Sequence, residues 1–361
     1  MRNLIISLKP KKGAFHIGDD LKGLERVKEY IHSDTLFSGL IQSFARLYGK
    51  KFVDDLINKF STDNPPFVLS SGFLNSPNEG YFFPKPKFPI SILKAKVSGA
   101  AHEKSEKILK KYKETRFLPD LQLKRLLEDL SADRIEIETL ENAINEADKY
   151  SLLFYTVTRP SSSIDRVSSN SELFFRGETF LKDYVTISVF CKCNESYVEE
   201  IKQAFECLGD FGIGGERTYG LGQFGIEFYD SFQERDFIFK GISTLEENEA
   251  LNNFAYLLSL YYPADDDELN KIKDNSFYSL IERKGWFDSP YSHSQLKRKS
   301  IMMFEEGSII GLGSIKGCLV DVSPDYWKKS SISTEYKHKI LRNGLAFFVP
   351  FKYKESIWKK T

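Results

Sequence analysis

The feature that most restricts how this chain folds is the order in which its hydrophobic period changes. Val185, Ile187 and Val189 alternate, as a two-faced strand requires. Val198, Ile201, Phe205 and Leu208 then recur at helical spacing, and Leu221–Phe228 returns to a strand. The N-terminal stretch has the same plan. Arg2–Leu8 predicts a central strand, Leu36, Phe37, Leu40, Ile41, Phe44 and Leu47 give a helix one broad apolar face, and Phe67–Phe73 predicts the next strand. Ser33 is placed to cap that helix, leaving Asp34 exposed at its start, where negative charge is favoured. Gly49 predicts a stop, with a second short helix over Phe52–Phe60.

The order is β-α-β, a long insertion, then β-α-β. Without the insertion this is the split βαβ, or ferredoxin-like, arrangement that RNA-recognition domains also use. The expected fold class is α+β, with two ferredoxin-like (RRM-like) domains, the first carrying a long inserted arm between its second and third strands. Residues 1–238 form the first domain, its arm spanning about 80–180, and 239–361 form a degenerate second copy. In that copy Asn253–Tyr262, Ser276–Glu282, Gly317–Val322 and Leu345–Phe351 read as strands, and Ala264-Asp265-Asp266-Asp267 opens a short helix. A length of 361 residues fits two cores better than one.

Lys plus Arg and Asp plus Glu both number 51, so net charge is zero and gives nucleic-acid binding no support. The zero conceals a reversal. Lys85–Arg125 holds ten Lys and two Arg against four acids, whereas Glu128–Asp148 holds eight acids and one Arg. That pattern fits an RNA-facing arm with a protein-facing flank, or an ordinary solvated surface helix with intrachain ion pairs. Another basic bias lies near the C-terminus, at Lys337, His338, Lys339, Arg342, Lys352 and Lys354. No apolar run is long enough to span a bilayer, and Met1–Leu8 lacks the layout of a secretory signal, so the expected location is cytoplasmic with no membrane partner. Cys191 and Cys193 are two of only four cysteines and read as buried thiols on one strand face.

The glycine-rich run Gly212–Gly222 lies between a predicted helix and a predicted strand, the reverse of a dinucleotide fingerprint, and it lacks a P-loop lysine. Its glycines let backbone N–H groups approach a phosphate, while Arg217 supplies charge and Tyr219 a stacking face. Tight packing of the loop on the sheet is the competing explanation. Arg159, Arg166 and Arg176 surround the serine-rich stretch Ser161–Ser171, read as polar mobile backbone able to follow a sugar-phosphate chain, or as a plain surface loop. His32, Ser33 and Asp34 are consecutive, so their side chains diverge and form no triad by themselves. His16 lies in a glycine-containing loop, and His102, His293 and His338 are scattered. No metal-ligand spacing, catalytic set or cofactor motif is present in the pattern.

Several stretches together resemble the Cas5-group RAMP subunit of type III-A (Csm) CRISPR effector complexes, the fourth Csm subunit. They are Phe15-His16-Ile17-Gly18, Ile31–Ser38, Ile164-Asp165-Arg166-Val167, Gly212–Gly222, Glu306-Gly307-Ser308 and Asp321-Val322-Ser323-Pro324. The resemblance implies a non-catalytic antiviral-defence protein that holds the repeat-derived 5′ handle of the CRISPR guide RNA (crRNA). It also implies contacts with the large polymerase-like signature subunit and a backbone RAMP subunit, and indirect contact with target RNA. Carried over by position, the RNA-facing residues are His16, Gly18, Arg166, Gly214, Gly215, Arg217, Tyr219, Gly220 and Gly222. The enzymatic alternative is a metal-independent, guide-processing endoribonuclease of the RAMP superfamily. It needs a general base, for which His16 and His32 are the nearby candidates.

Overall fold

In the computed structural model, the described residues are 1–11, 13–18, 23–62, 64–98, 102–132, 134–229, 253–273, 276–287, 296–311, 315–325, 327 and 338–352. The expected domain boundary near 238 and His293 lie outside them.

The largest sheet runs, in spatial order, Phe224–Tyr229, Arg2–Pro10, Thr186–Cys193, Phe73–Ser76, Gly80–Pro84 and Phe117–Pro119, with Phe67–Leu69 also paired to Thr186–Cys193. Its first four strands are antiparallel throughout and stand in the order fourth, first, third, second, consistent with the split βαβ plan. The helices Ser33–Lys59 and Val198–Phe211 pack against each other. Gly39 lets them close, since a Cβ there would lie 2.8 Å from Leu208 Cδ1. Gly49 has φ +79 and breaks the first helix where the sequence predicts a stop.

A four-stranded sheet repeats this order in the C-terminal stretch: Phe348–Lys352, Asn253–Leu257, Ile309–Gly311, Ser276–Phe277. The helix Asp266–Lys273 lies between its first two strands in sequence, and Asp265 Oδ1 accepts the Glu268 N–H as a cap. The fold is thus mixed α+β, built of several small sheets. One hydrophobic cluster joins the two sheets, taking in Leu4, Phe73 and Val189 together with Phe254, Tyr256 and Val349.

Two local expectations need correction, at Phe67–Phe73 and in the serine-rich stretch. Phe67–Phe73 is not one strand, because the Ser71 N–H turns away to donate to Leu258 O and Gly72 pairs with Ile31. Pro84 closes the strand Gly80–Pro84 opposite Phe117, and residues 85–89, with Pro86 and Pro89, carry no regular element. Helices fill most of 90–147, and opposite charges meet there in pairs such as Lys104–Glu141 at 2.8 Å and Lys94–Glu106 at 2.9 Å, the arrangement of the ion-paired helix alternative. The serine-rich stretch is an ordered hairpin, Phe154–Ile164 paired with Ser171–Leu181 over eleven positions. Serines occupy strand positions there because both faces of much of the hairpin meet solvent. Cys191 and Cys193 are both fully buried free thiols.

Candidate nucleic-acid interface

Three segments distant in sequence converge at the base of the hairpin. The N-terminal strand Ala14–Phe15 adds to the hairpin beside Thr179 and Phe180. His16 is buried, and its Nδ1–H donates to Gly177 O at 2.7 Å, which fixes the tautomer. The glycine loop closes on the same segment: the Gly215 N–H donates to His16 O at 2.8 Å and the Gly222 N–H to Ala14 O at 3.1 Å. A Cβ on Gly214 would lie 2.3 Å from His16 O, and Gly214 has φ +91.

This geometry changes what the loop offers. The N–H groups of Gly212, Gly215, Gly220 and Gly222 all donate within the protein, so they do not form a phosphate cradle. Gly214 and Gly222 serve close packing of backbone on backbone. The loop presents side chains outward instead. Tyr219 is 68% exposed, and the Arg176 guanidinium carbon lies 4.1 Å from its ring centroid. Arg176 Nη1 donates to Glu216 Oε2 at 2.8 Å, and Glu216 adopts the left-handed conformation, φ +59. Arg176 stands directly across the ladder from Arg159, so both share one hairpin face, and Arg159 Nε donates to Glu178 at 2.7 Å. Arg217 lies in the short 3-10 turn Arg217–Tyr219, and Gly18 is exposed on the neighbouring strand pair.

Arg166 is not part of this group. It sits exposed in the hairpin tip, beyond the last ladder pair Ile164–Ser171. Five ladder steps, about 17 Å at roughly 3.4 Å each, separate that pair from Arg159–Arg176. Asp165 shapes the tip by accepting the Val167 N–H and the Ser168 hydroxyl, and these bonds lower its pKa. The cross-strand register that aligns Arg159 with Arg176 is the information the sequence reading lacked.

A second cluster joins the start of the helix Ser33–Lys59 to the C-terminal stretch. Ser33 makes no cap; its hydroxyl accepts the Leu260 N–H at 3.1 Å. Asp34 is not exposed but 1% accessible. It accepts Arg283 Nη2 at 3.0 Å, Arg283 Nε at 3.1 Å and Arg342 Nη1. Burial pushes the Asp34 carboxyl pKa upward, but Arg283 and Arg342 outweigh it and hold the group far below the usual range. Arg342, expected in a basic surface bias, is therefore a buried partner. His32 bridges Lys28 Nζ, 3.0 Å from Nε2, and Glu306 Oε1, 2.8 Å from Nδ1. An ammonium only donates, so Nε2 accepts and Nδ1–H donates to Glu306, which also accepts the Ser71 hydroxyl. A general base drawn from His16 or His32 would thus have to come from a buried, engaged ring. Among the described residues no three His, Cys, Asp or Glu side chains lie close enough to hold a metal, and no helix is long and apolar enough to cross a membrane.

Fold and site define a mixed α+β protein that presents an arginine–tyrosine surface beside a glycine-rich loop. Residues 251–351 match the family described as the CRISPR Csm4 C-terminal domain. The chain is 25% identical to the CRISPR system Cms protein Csm4 of Methanocaldococcus jannaschii, over 97% of this chain and 98% of that protein. It is also 25% identical to the Thermococcus onnurineus protein of that name, over 55% of this chain and 63% of the relative. Among solved structures it resembles a chain of a Csm1–Csm4 cassette in complex with cA4, with TM-score 0.59, 16% identity and coverage of 99% and 100%. It likewise resembles a chain of a Csm3–Csm4 subcomplex from a type III-A CRISPR-Cas interference complex, with TM-score 0.58, 19% identity and coverage of 97% and 99%. The chain is Csm4-like over nearly its whole length, and its fold is that of the chains in these assemblies.

Proposed function

We propose that this protein is a non-catalytic, Cas5-group RAMP subunit of a type III-A CRISPR surveillance complex. It binds the 5′ repeat-derived handle of the guide RNA, and it bridges the large polymerase-like subunit to the backbone. The observation that carries the RNA-binding reading is the exposed Tyr219 ring held by Arg176 beside Arg159 and Arg217. An aromatic face accepts any base, and arginines on the same surface meet the sugar-phosphate chain. His16, Gly214, Gly215, Gly220 and Gly222 set the shape of that surface, whereas Gly18 and Arg166 extend it. The two sheets of like strand order support two ferredoxin-like domains, 1–238 with an insertion over about 80–180 and 239–361. The bridging role is supported by the likeness to chains solved with a Csm1 partner and with a Csm3 partner. A non-catalytic role is supported by the burial of His16 and His32.

The test is reconstitution with the polymerase-like and backbone subunits and a repeat-containing guide. A Tyr219→Ala, Arg176→Gln, Arg217→Gln variant should lose guide occupancy and leave the handle open to nuclease. Unchanged loading and unchanged handle protection would remove this surface from the RNA path. Incubating the isolated chain with repeat RNA separates the enzymatic alternative: new RNA ends abolished by His16→Ala would favour it.

A further inference from the structure

We propose that Tyr155, stacked on Phe180, is a second base platform on the hairpin face that carries Arg176, and that it shares one strand of single-stranded RNA with Tyr219. The proposal rests on the reading of the Tyr219–Arg176 surface as an RNA contact and extends it. Opposite residues of an antiparallel ladder share a face, and successive residues alternate. The eleven unbroken pairs of the hairpin therefore set Tyr155–Phe180, Val157–Glu178 and Arg159–Arg176 in succession on one face. The other face of the lower hairpin turns inward: Thr179 is fully buried, and a Cβ on Gly177 would lie 2.3 Å from Glu25 O. The glycine loop reaches the outer face at Arg176, through Glu216 and Tyr219.

Tyr155 has the properties of a platform made ready in advance. Its ring lies 3° from parallel with Phe180 at a centroid distance of 5.0 Å, so one ring face is covered and the orientation is held. The side chain is still 49% exposed, which leaves surface for a base to continue the stack. Lys182 Nζ, on an exposed side chain, lies 5.7 Å from the Tyr155 centroid, a cation placed for the phosphate beside that base. Tyr219 has the same kind of pairing, with Arg176 at 4.1 Å. Between the two, Glu178 is 6% exposed and accepts Arg159 Nε, so no bare carboxylate stands in the path. The rungs of Tyr155 and Arg159 are four residues apart, about 14 Å at roughly 3.4 Å each. A stacked strand advances about 3.4 Å per nucleotide, so bases on the two platforms are about four nucleotides apart. The ligand class is thus a single-stranded RNA segment of about five nucleotides or more, not a mononucleotide.

The experiment measures binding of the full chain to fluorescently labelled cytidine oligoribonucleotides, a hexamer and a trimer, by anisotropy at low salt. Tyr155→Leu should weaken the hexamer about fivefold or more, the loss of one base stack. It should weaken the trimer, which meets one platform at a time, no more than about twofold. Tyr155→Phe, which keeps the ring, should restore hexamer binding. A purely structural Tyr155 would weaken both lengths alike, and that result, or an unchanged hexamer, overturns the proposal. Tyr219→Ala separates the two readings: hexamer binding weakened by Tyr219→Ala but not by Tyr155→Leu keeps the RNA surface and removes the second platform. Binding that neither variant alters removes both. If Tyr155→Leu fails to fold, Lys182→Gln takes its place and should lower the salt dependence of hexamer binding by about 0.7 of a unit in the log–log slope. An unchanged slope then overturns the proposal.

Discussion

Asp34 and Arg342 are 308 residues apart in the chain, yet they form an ion pair in which neither is more than 2% exposed. Replacing the carboxylate strands the arginines in a buried place. Asp34→Asn should therefore destabilise the chain by about 3–5 kcal/mol, the cost of an uncompensated buried charge. Urea unfolding of the full chain measures it. A companion Arg342→Met change should recover part of the loss, because it removes one of the stranded cations.

The same joint sets the acid limb of stability. Asp34 and Glu306 both have folded pKa values below their ordinary ones: burial opposes this at each, and Arg283 with Arg342, or His32 with Ser71, overcome it. A depressed carboxyl pKa gives stability that is complete above the unfolded value, about 4, and is lost as pH falls through the folded value. The unfolding midpoint should hold from neutrality to about pH 4 as far as these groups are concerned, then fall. Asp34→Asn should flatten that fall. An acid limb of unchanged steepness in the variant would remove Asp34 as its source.

Much of the fold was legible because it rests on local periodicity. The helix predicted from Tyr197 to Leu208 is found at Val198–Phe211, and the break at Gly49 needed only a positive φ. The site was legible only in part. His16, Gly214 and Gly215 do meet, but no pattern in the sequence says that their backbone bonds are made to one another rather than to a ligand. Ser33 has the composition of a cap and Asp34 that of an exposed first-turn acid. Both preferences yielded to partners more than 200 residues away, which local propensity does not register. Serines near Arg166 read as mobile for the same reason: the hairpin is held by cross-strand pairing, and side-chain type carries little of that.

Gly214 offers a test of packing against ligand binding. Gly214→Ala forces a Cβ to 2.3 Å from His16 O at φ +91, and should cost about 1–3 kcal/mol of stability. Gly225→Ala, with its nearest neighbour at 3.8 Å and no positive φ, should change the melting temperature little. Thermal melts of the two variants side by side make the comparison.

Tyr219 is 68% exposed, so its removal should leave the fold alone. Tyr219→Ala should weaken single-stranded RNA binding by about 1–3 kcal/mol, the usual worth of one base stack. Arg176→Gln should instead reduce the salt dependence of binding, by about one unit of the log–log slope if one phosphate contact is lost. Filter binding over a range of salt distinguishes stacking from charge.

The joint at His32, Ser33 and Asp34 also bears on how the chain is made. Arg342 is added 308 residues after Asp34. At roughly 5–20 residues per second that delay is about 15–60 s, during which the carboxylate at the helix start lacks its full set of cations. Completion of this buried ion-pair cluster thus waits on the synthesis of Arg342. A nascent chain stalled before Arg342 should still be open to protease around residue 34, even where its N-terminal sheet has already formed.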